Sequence, residues 1–500
     1  MSKYSENKSV LLALITLTIV LPAILLTLYS TQRDIVSASG SSMTTTVKIT
    51  KCTVITSPGV YILTQNISGT YPGEDWCIKI NASNVIFDGQ GNSIESVRGI
   101  GVLIESADNV TIKNTKITRS NTGIRLLNSS RSVVINNIIA SNGDGVWILN
   151  SENNIIANNT IISNKWSGIR IVLYSWSDTR PMLYSRNNIV ANNTIAGNGG
   201  HGIQLVESEN NIVANNTIVN NYDGVLIDHS SGNMIVGNAI ANTTNYEGSG
   251  IRLAYSENNT IANNTIASNE GSGIRLDLSS NNTITSNVIT NNKGLGVWLV
   301  DSVNNIVANN SITNNSAGIR LANSSSSAIA SNIITNNKVG IELYLSSSNL
   351  IYNNLFNNTL NTQVYDEDSI SYWNTTLSLG RNIIGGNWIG GNYWATPSGT
   401  GHSQICRDVR EPIGICDEPY KINKRNIDYL PLTSSRETVP QKPTETMSIT
   451  TATSLLNTTP EITQQTSSKT TSIEWAAIAI IGVGIAVFLS VSLYFLARRR

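Results

Sequence analysis

Charge is scarce in this chain: only 13% of its 500 residues are Asp, Glu, Lys or Arg, about half the share in soluble globular proteins. The 33 basic and 33 acidic side chains also cancel, 33 − 33 = 0. Such a surface has little to gain from a phosphate backbone, which argues against a nucleic-acid partner. Soft metal ligands are thin as well. Three His, four Cys and five Met supply no large soft-metal site, so neither a metal nor a cofactor is expected. Helical periodicity is missing too. No unit places apolar residues at i, i+3, i+4 and i+7, and that removes a helical repeat. Length alone allows about three globular domains. Asn, Ser, Thr and Ile fill the gap left by charge, and they fall in a fixed rhythm.

A Gly followed by Ile or Val opens each unit: Gly101, Gly123, Gly145, Gly168, Gly202, Gly224, Gly250, Gly273, Gly296, Gly318 and Gly340. Most steps are 22 or 23 residues, but 168 to 202 takes 34 and 224 to 250 takes 26. A fixed period in this range means a solenoid. Apolar residues come as three short clusters per unit, for example Val146 with Ile148, then Ile156, then Ile161. Period two and single β-branched residues between turn formers are strand grammar. Three strands per coil predict an all-β fold, a right-handed parallel β-helix with ladders of Ile, Val and Leu inside. One Asn ladder is expected through Asn154, Asn211, Asn233, Asn259, Asn282 and Asn305. A second is expected through Asn137, Asn159, Asn216, Asn238, Asn264, Asn287, Asn310, Asn332 and Asn354. Asn tolerates the left-handed corner, and its amide can bond its copy one coil on.

The ends give the address. Residues 1–38 read as a secretory signal cut near Ala38, with an uncleaved anchor as the alternative. Residues 45–100 form an N-terminal cap and first coil, 101–360 the repeats and 361–432 a closing segment. Residues 433–473 are a Thr/Ser/Pro-rich stalk, either O-glycosylated or a bare linker. Residues 474–497 are apolar enough to span a membrane as a helix, and the basic tail 498–500 puts the C-terminus inside the cell. The expected address is therefore the cell membrane, with one span and the ectodomain outside. In an oxidising compartment Cys52 pairs with Cys77 and Cys406 with Cys416. About eighteen Asn-x-Ser/Thr sequons accompany the ladders. In Asn158-Asn159-Thr160 the second Asn turns inward and the first is the acceptor. By the same register Asn192, Asn215, Asn263 and Asn309 are exposed acceptors.

The Gly-Ile-x-Leu, Asn-Asn-x-Ile, Asn-x-Ile coils resemble the NosD-type β-helix family, related to carbohydrate-binding and sugar-hydrolase β-helices. Pro58 to Leu63, Cys77 to Ile80 and Val85 to Gly89 look like that family's capping coil. Gly391-Asn392-Tyr393-Trp394, Pro419-Tyr420 and Tyr429 to Leu432 are similar to its closing segment. Many relatives carry an acidic Asp/Gly-rich run before the Pro-Tyr; here Arg410 to Asp417 stands there. The resemblance implies the fold over about residues 50 to 432. It also implies copper delivery, which would need clustered ligands, whereas His201, His229 and His402 are scattered. The architecture resembles that of archaeal surface proteins.

The residue two after each opening Gly points outward. This stripe runs Leu103, Arg125, Trp147, Arg170, Gln204, Leu226, Arg252, Arg275, Trp298, Arg320, Glu342. Trp faces stack on sugar rings, and Arg forks pair with carboxylates or sulfates. The expectation is that Arg125, Trp147, Arg170, Arg252, Arg275, Trp298 and Arg320 bind an extended carbohydrate or surface polymer, neutral or acidic. Repeat inheritance, with Arg stems merely covering the sheet, is the alternative. Asp228 and Asp277, with His229 beside them and Glu207 and Asp301 nearby, are the candidate catalytic groups of a polysaccharide hydrolase or lyase. Two insertions flank them: Tyr174 to Arg186, with Trp176 and Tyr184, and Asn242 to Ser249, with Tyr246. A structural surface-layer or adhesion protein, with other cell-surface proteins as partners, is a third reading.

Overall fold

The structure is a computed structural model and describes residues 46–96, 99–173 and 185–434. The leader, the stalk beyond residue 434 and the apolar segment 474–497 lie outside the described residues, as do Trp176 and Tyr184. Among the described residues no helix is long and apolar enough to cross a membrane.

The described chain is an all-β parallel solenoid of about 13 coils. Each coil contributes three short strands. In one coil these are Ile251–Ala254, Thr260–Ala262 and Thr265–Ala267. Equivalent strands stack in parallel into three 14-stranded sheets, here sheets 1, 2 and 3 in their order along a coil. Three corners separate them: the first between sheets 1 and 2, the second between 2 and 3, the third between 3 and the next coil's sheet 1. Strand residues alternate. Ile251 and Leu253 point in and are fully buried, while Arg252 and Ala254 face out. Register keeps like above like, so Ile240, Ile266, Ile289 and Ile312 form one buried column of sheet 3. β-branched side chains suit this pleated, closely ranked core.

The opening Gly is dictated by that column. A Cβ at Gly273 would sit 2.5 Å from Ile289 Cγ2 and 2.8 Å from the Gly296 carbonyl oxygen. At the corners the Asn-Asn pair divides its labour. The first residue takes the left-handed conformation, as at Asn263 with φ 56°, and the second turns inward. Inward Asn264 accepts from Asn238 N at 2.9 Å and Nδ2 at 3.0 Å. It donates to the Ile235 carbonyl at 2.8 Å and to Asn287 Oδ1 at 3.0 Å. The amide is fully buried and fully bonded, as a buried polar group must be. Both expected ladders are present, and Asn188 and Asn193 complete them. A third, unanticipated ladder fills the third corner, with Asn142, Asn164, Asn198 and Asn221 in one run and Asn269, Asn292, Asn315 and Asn337 in another.

Both expected disulfides are formed, Cys52–Cys77 and Cys406–Cys416. The last coils close on aromatic rings. Trp394 stacks on Phe356 at 4.8 Å and on Tyr420 at 4.5 Å, with Trp373 at 5.8 Å. Beneath them Asp428 is completely buried. Burial pushes its carboxyl up to about 7, against the pull of hydrogen bonds from Asn392 N, Trp394 Nε1 and Leu430 N.

Candidate functional site

The predicted stripe is a continuous ladder on the outer face of sheet 1. Arg125, Trp147, Arg170, Gln204, Leu226, Arg252, Arg275, Trp298, Arg320 and Glu342 pair rung by rung. Rungs of a parallel sheet lie about 4.8 Å apart. Most of these side chains are half-buried, with Arg stems flat on the sheet.

The contacts within the stripe change its chemistry. Trp147 lies between two guanidiniums, Arg125 at 4.1 Å and Arg170 at 4.9 Å from its ring centroid, and Arg275 lies 4.4 Å from that of Trp298. Each such contact is worth roughly 0.5–1 kcal/mol at exposed sites. It also covers indole surface that a sugar ring would use. The charges are answered locally as well. Asp277 holds Arg252 Nε at 3.0 Å and Arg275 Nε at 2.8 Å, Asp144 holds Arg170, and Glu342 holds Arg320. Because Asp277 engages the Nε atoms, the Nη ends of Arg252 and Arg275 remain to donate outward. The stripe is therefore a row of oriented donors whose charge is offset in part by three carboxylates. Arg125 is the exception: burial pulls its guanidinium below its ordinary value, against Asp75 and Asp144.

Asp228 and Asp277 stand on either side of Ala254, two rungs or about 10 Å apart. Asp277 is engaged by the two arginines. Asp228 Oδ1 meets His229 Nδ1 at 2.8 Å, and the His229 ring stacks on Tyr255 at 4.7 Å. His229 and Tyr255 occupy the left-handed position of the first corner, with φ 46° and 48°. Outside Gly, Asn and Asp that conformation costs roughly 1–2 kcal/mol per residue. Glu207, Leu278 and Asp301 take the same position on neighbouring coils. Tyr255 and Leu278 escaped the sequence reading because each lies one residue past the strand that the alternation describes.

The Asn242–Ser249 insertion lies where the sequence placed it. Tyr246, Glu247 and Ser249 form one wall of a shallow pocket of about 430 Å³. Its floor carries Arg275, Trp298 and Arg320, and its rim the exposed pair Glu270–Lys293. Among the sequon acceptors, Asn192, Asn263 and Asn309 are exposed and Asn158 and Asn215 half-exposed. All five occupy the second corner, between sheets 2 and 3 and opposite sheet 1.

Parallel coils of this regularity define the class, a right-handed β-helix. Within that class the chain matches two family models. Residues 181–269 and 241–399 match the family of the periplasmic copper-binding protein NosD, and residues 34–179 match the right-handed β-helix region. No curated protein matches. Among solved structures the chain is similar to the A-module of a mannuronan C-5 epimerase of Azotobacter vinelandii. That likeness has 18% identity, 62% of this chain and 91% of that one covered, and a TM-score of 0.47. A periplasmic alginate epimerase variant follows at 18% identity, 54% and 75% coverage and a TM-score of 0.41. The Dettilon tailspike protein follows at 18%, 53% and 58%, and 0.37.

The copper in the family's description can be tested against the donors present. His201 Nδ1 lies 3.1 Å from Asp223 Oδ2, His229 is engaged by Asp228, and His402 Nε2 lies 3.1 Å from the Glu418 carbonyl oxygen. All four cysteines are in disulfides. Among the described residues no three His, Cys, Asp or Glu side chains converge. This donor set does not fit copper.

Proposed function

We propose that the outer face of sheet 1 binds an extended carbohydrate or surface polymer laid along the solenoid axis. The observation that carries this reading is the continuous ladder from Arg125 to Arg320, in which Arg252, Arg275 and Arg320 are held through Nε and Arg170 through Nη1. Oriented donors that recur along the stripe suit a ligand that itself repeats its hydroxyls along a chain. Asp277, Asp144 and Glu342 offset three of the five arginine charges and Asp228, on the same face, a fourth, so a neutral hydroxyl-rich chain fits better than a polyanion. Glycans on Asn158, Asn192, Asn215, Asn263 and Asn309 would leave this face bare. The apolar segment 474–497 would hold the ectodomain outside the membrane.

Replacing Arg252 and Arg275 together by Ala should abolish retention on immobilised polysaccharide while the far-ultraviolet spectrum stays that of a β protein. Undiminished retention would overturn the reading. A second reading, polysaccharide cleavage, draws on Asp228 and Asp277 facing each other across Ala254. New reducing or unsaturated ends that vanish in Asp228→Asn would establish it and leave the stripe as the substrate-holding element. Binding without new ends would retire it.

A further inference from the structure

The left-handed positions of the solenoid fall in four columns, two at the first corner and one at each of the others. Over the five coils that begin at Gly202, Gly224, Gly250, Gly273 and Gly296, three of these columns hold only Asn, Gly and Ser. In one such coil they are Asn258, Asn263 and Ser268. These are the residues that the conformation tolerates. The fourth column reads Glu207, His229, Tyr255, Leu278 and Asp301, with φ between 46° and 48°. The same column holds Asn128 and Asn150 two and more coils earlier and Asn323 just after, with one further exposed Leu at Leu345, φ 47°. Burial gives no reason for the change, although His229 and Tyr255 stack on each other. Tyr255 is 56% and Leu278 50% exposed, and burial is what normally repays a strained bulky residue.

The column borders the stripe: His229 lies three residues after Leu226, Tyr255 three after Arg252, Leu278 three after Arg275. Together they make a strip whose centre is aromatic and aliphatic and whose ends are carboxylates. Glu207, Asp228 and Asp301 line it without a guanidinium engaging them among the described residues, so a polyanion would be repelled. Apolar ring surface beside carboxylate acceptors is what a neutral sugar offers its C–H face and its hydroxyls to.

We propose that the first-corner column from Glu207 to Asp301 is a second line of contact for the polymer bound on sheet 1, and that it selects a neutral polysaccharide chain. This rests on the carbohydrate reading of sheet 1. The test is the full-length chain carrying His229→Asn, Tyr255→Asn and Leu278→Asn, each restoring the residue the corner favours. Retention is measured on immobilised mannan and dextran, with polygalacturonate as the acidic probe. The expected result is at least a tenfold loss of retention on the neutral polymers with a melting temperature unchanged or raised. Full retention by the variant, or a clear fall in its melting temperature, overturns the second contact line but leaves the stripe intact. Preference of the unaltered chain for polygalacturonate overturns the neutral selection. If the unaltered chain is retained by none of the three, the carbohydrate reading and this inference fall together.

Discussion

The inside corners of the solenoid and the outside of sheet 1 are built from the same repeat but obey different rules. Inside, each residue's partner is its own copy: Asn238 bonds Asn264, which bonds Asn287, and each amide has the neighbours of the last. Outside, partners are unlike: Arg252 and Arg275 share Asp277, Arg275 covers Trp298, and His229 stacks on Tyr255. The interior is constrained by the coil geometry, so it repeats. The face is free of that constraint, so its departures from repetition record another demand. Symmetry marks what folds this molecule, and broken symmetry marks where it meets something else.

The sharpest way to break the contrast is inside. Asn264→Leu removes both bonds that Asn264 accepts from Asn238 and both it donates, and should cost on the order of 4 kcal/mol. Chemical denaturation would show it, and a loss below about 1 kcal/mol would mean that the ladder is ornamental. The closing segment comes next. Asp428 is held above the ordinary carboxylate value, so its contribution is fully present below that range and lost as pH rises through about 7. The shift from 3.8 corresponds to at most about 4 kcal/mol. Tryptophan fluorescence should report an easier-melting cap at pH 8.5 than at pH 5.5. Equal midpoints at the two values would show that Asp428 keeps its ordinary affinity for the proton. On the outer face Asp277→Ala should cost about 1–2 kcal/mol, since its side chain is only 14% exposed, and should reduce polysaccharide retention several-fold by freeing both arginines. Retention equal to the unaltered chain would separate Asp277 from binding. The smallest effect belongs to Thr265→Ala, which removes the Asn263 sequon without touching the corner and should change stability by less than about 0.5 kcal/mol. Mass spectrometry of the exported protein should find sugar on the Asn263 peptide only while Thr265 is present.

The fold was legible because its grammar repeats. The Gly spacing, the alternation around Ile251 and Leu253 and two of the three Asn ladders follow from the sequence alone. The third ladder carried its own signal, an Asn five residues after most second-ladder Asn, as Asn269 follows Asn264, with Thr243 after Asn238 as the break. The division of the Asn-Asn pair into a left-handed residue and an inward one also needed backbone angles. Positions of the stripe were legible too, but not its state. Arg275 and Asp277 sit two apart on one strand face, whereas Arg252 reaches Asp277 only through the register of the next coil. Trp298 and Trp147 looked open to sugar until the neighbouring guanidiniums were placed over them. Leu278 carries no sequence signal of its own, and only its corner angle and its exposure bring it to notice.

Along most of each ladder an inward Asn hands the next coil the same donor and acceptor that it received. A coil cut out, or copied in, would therefore leave no amide orphaned at the seam, so whole turns are the natural unit in which this lineage can lengthen or shorten. The reach of such a molecule is counted rather than tuned. Its interior behaves as a ruler with interchangeable divisions, on which the marks along one edge can be rewritten singly.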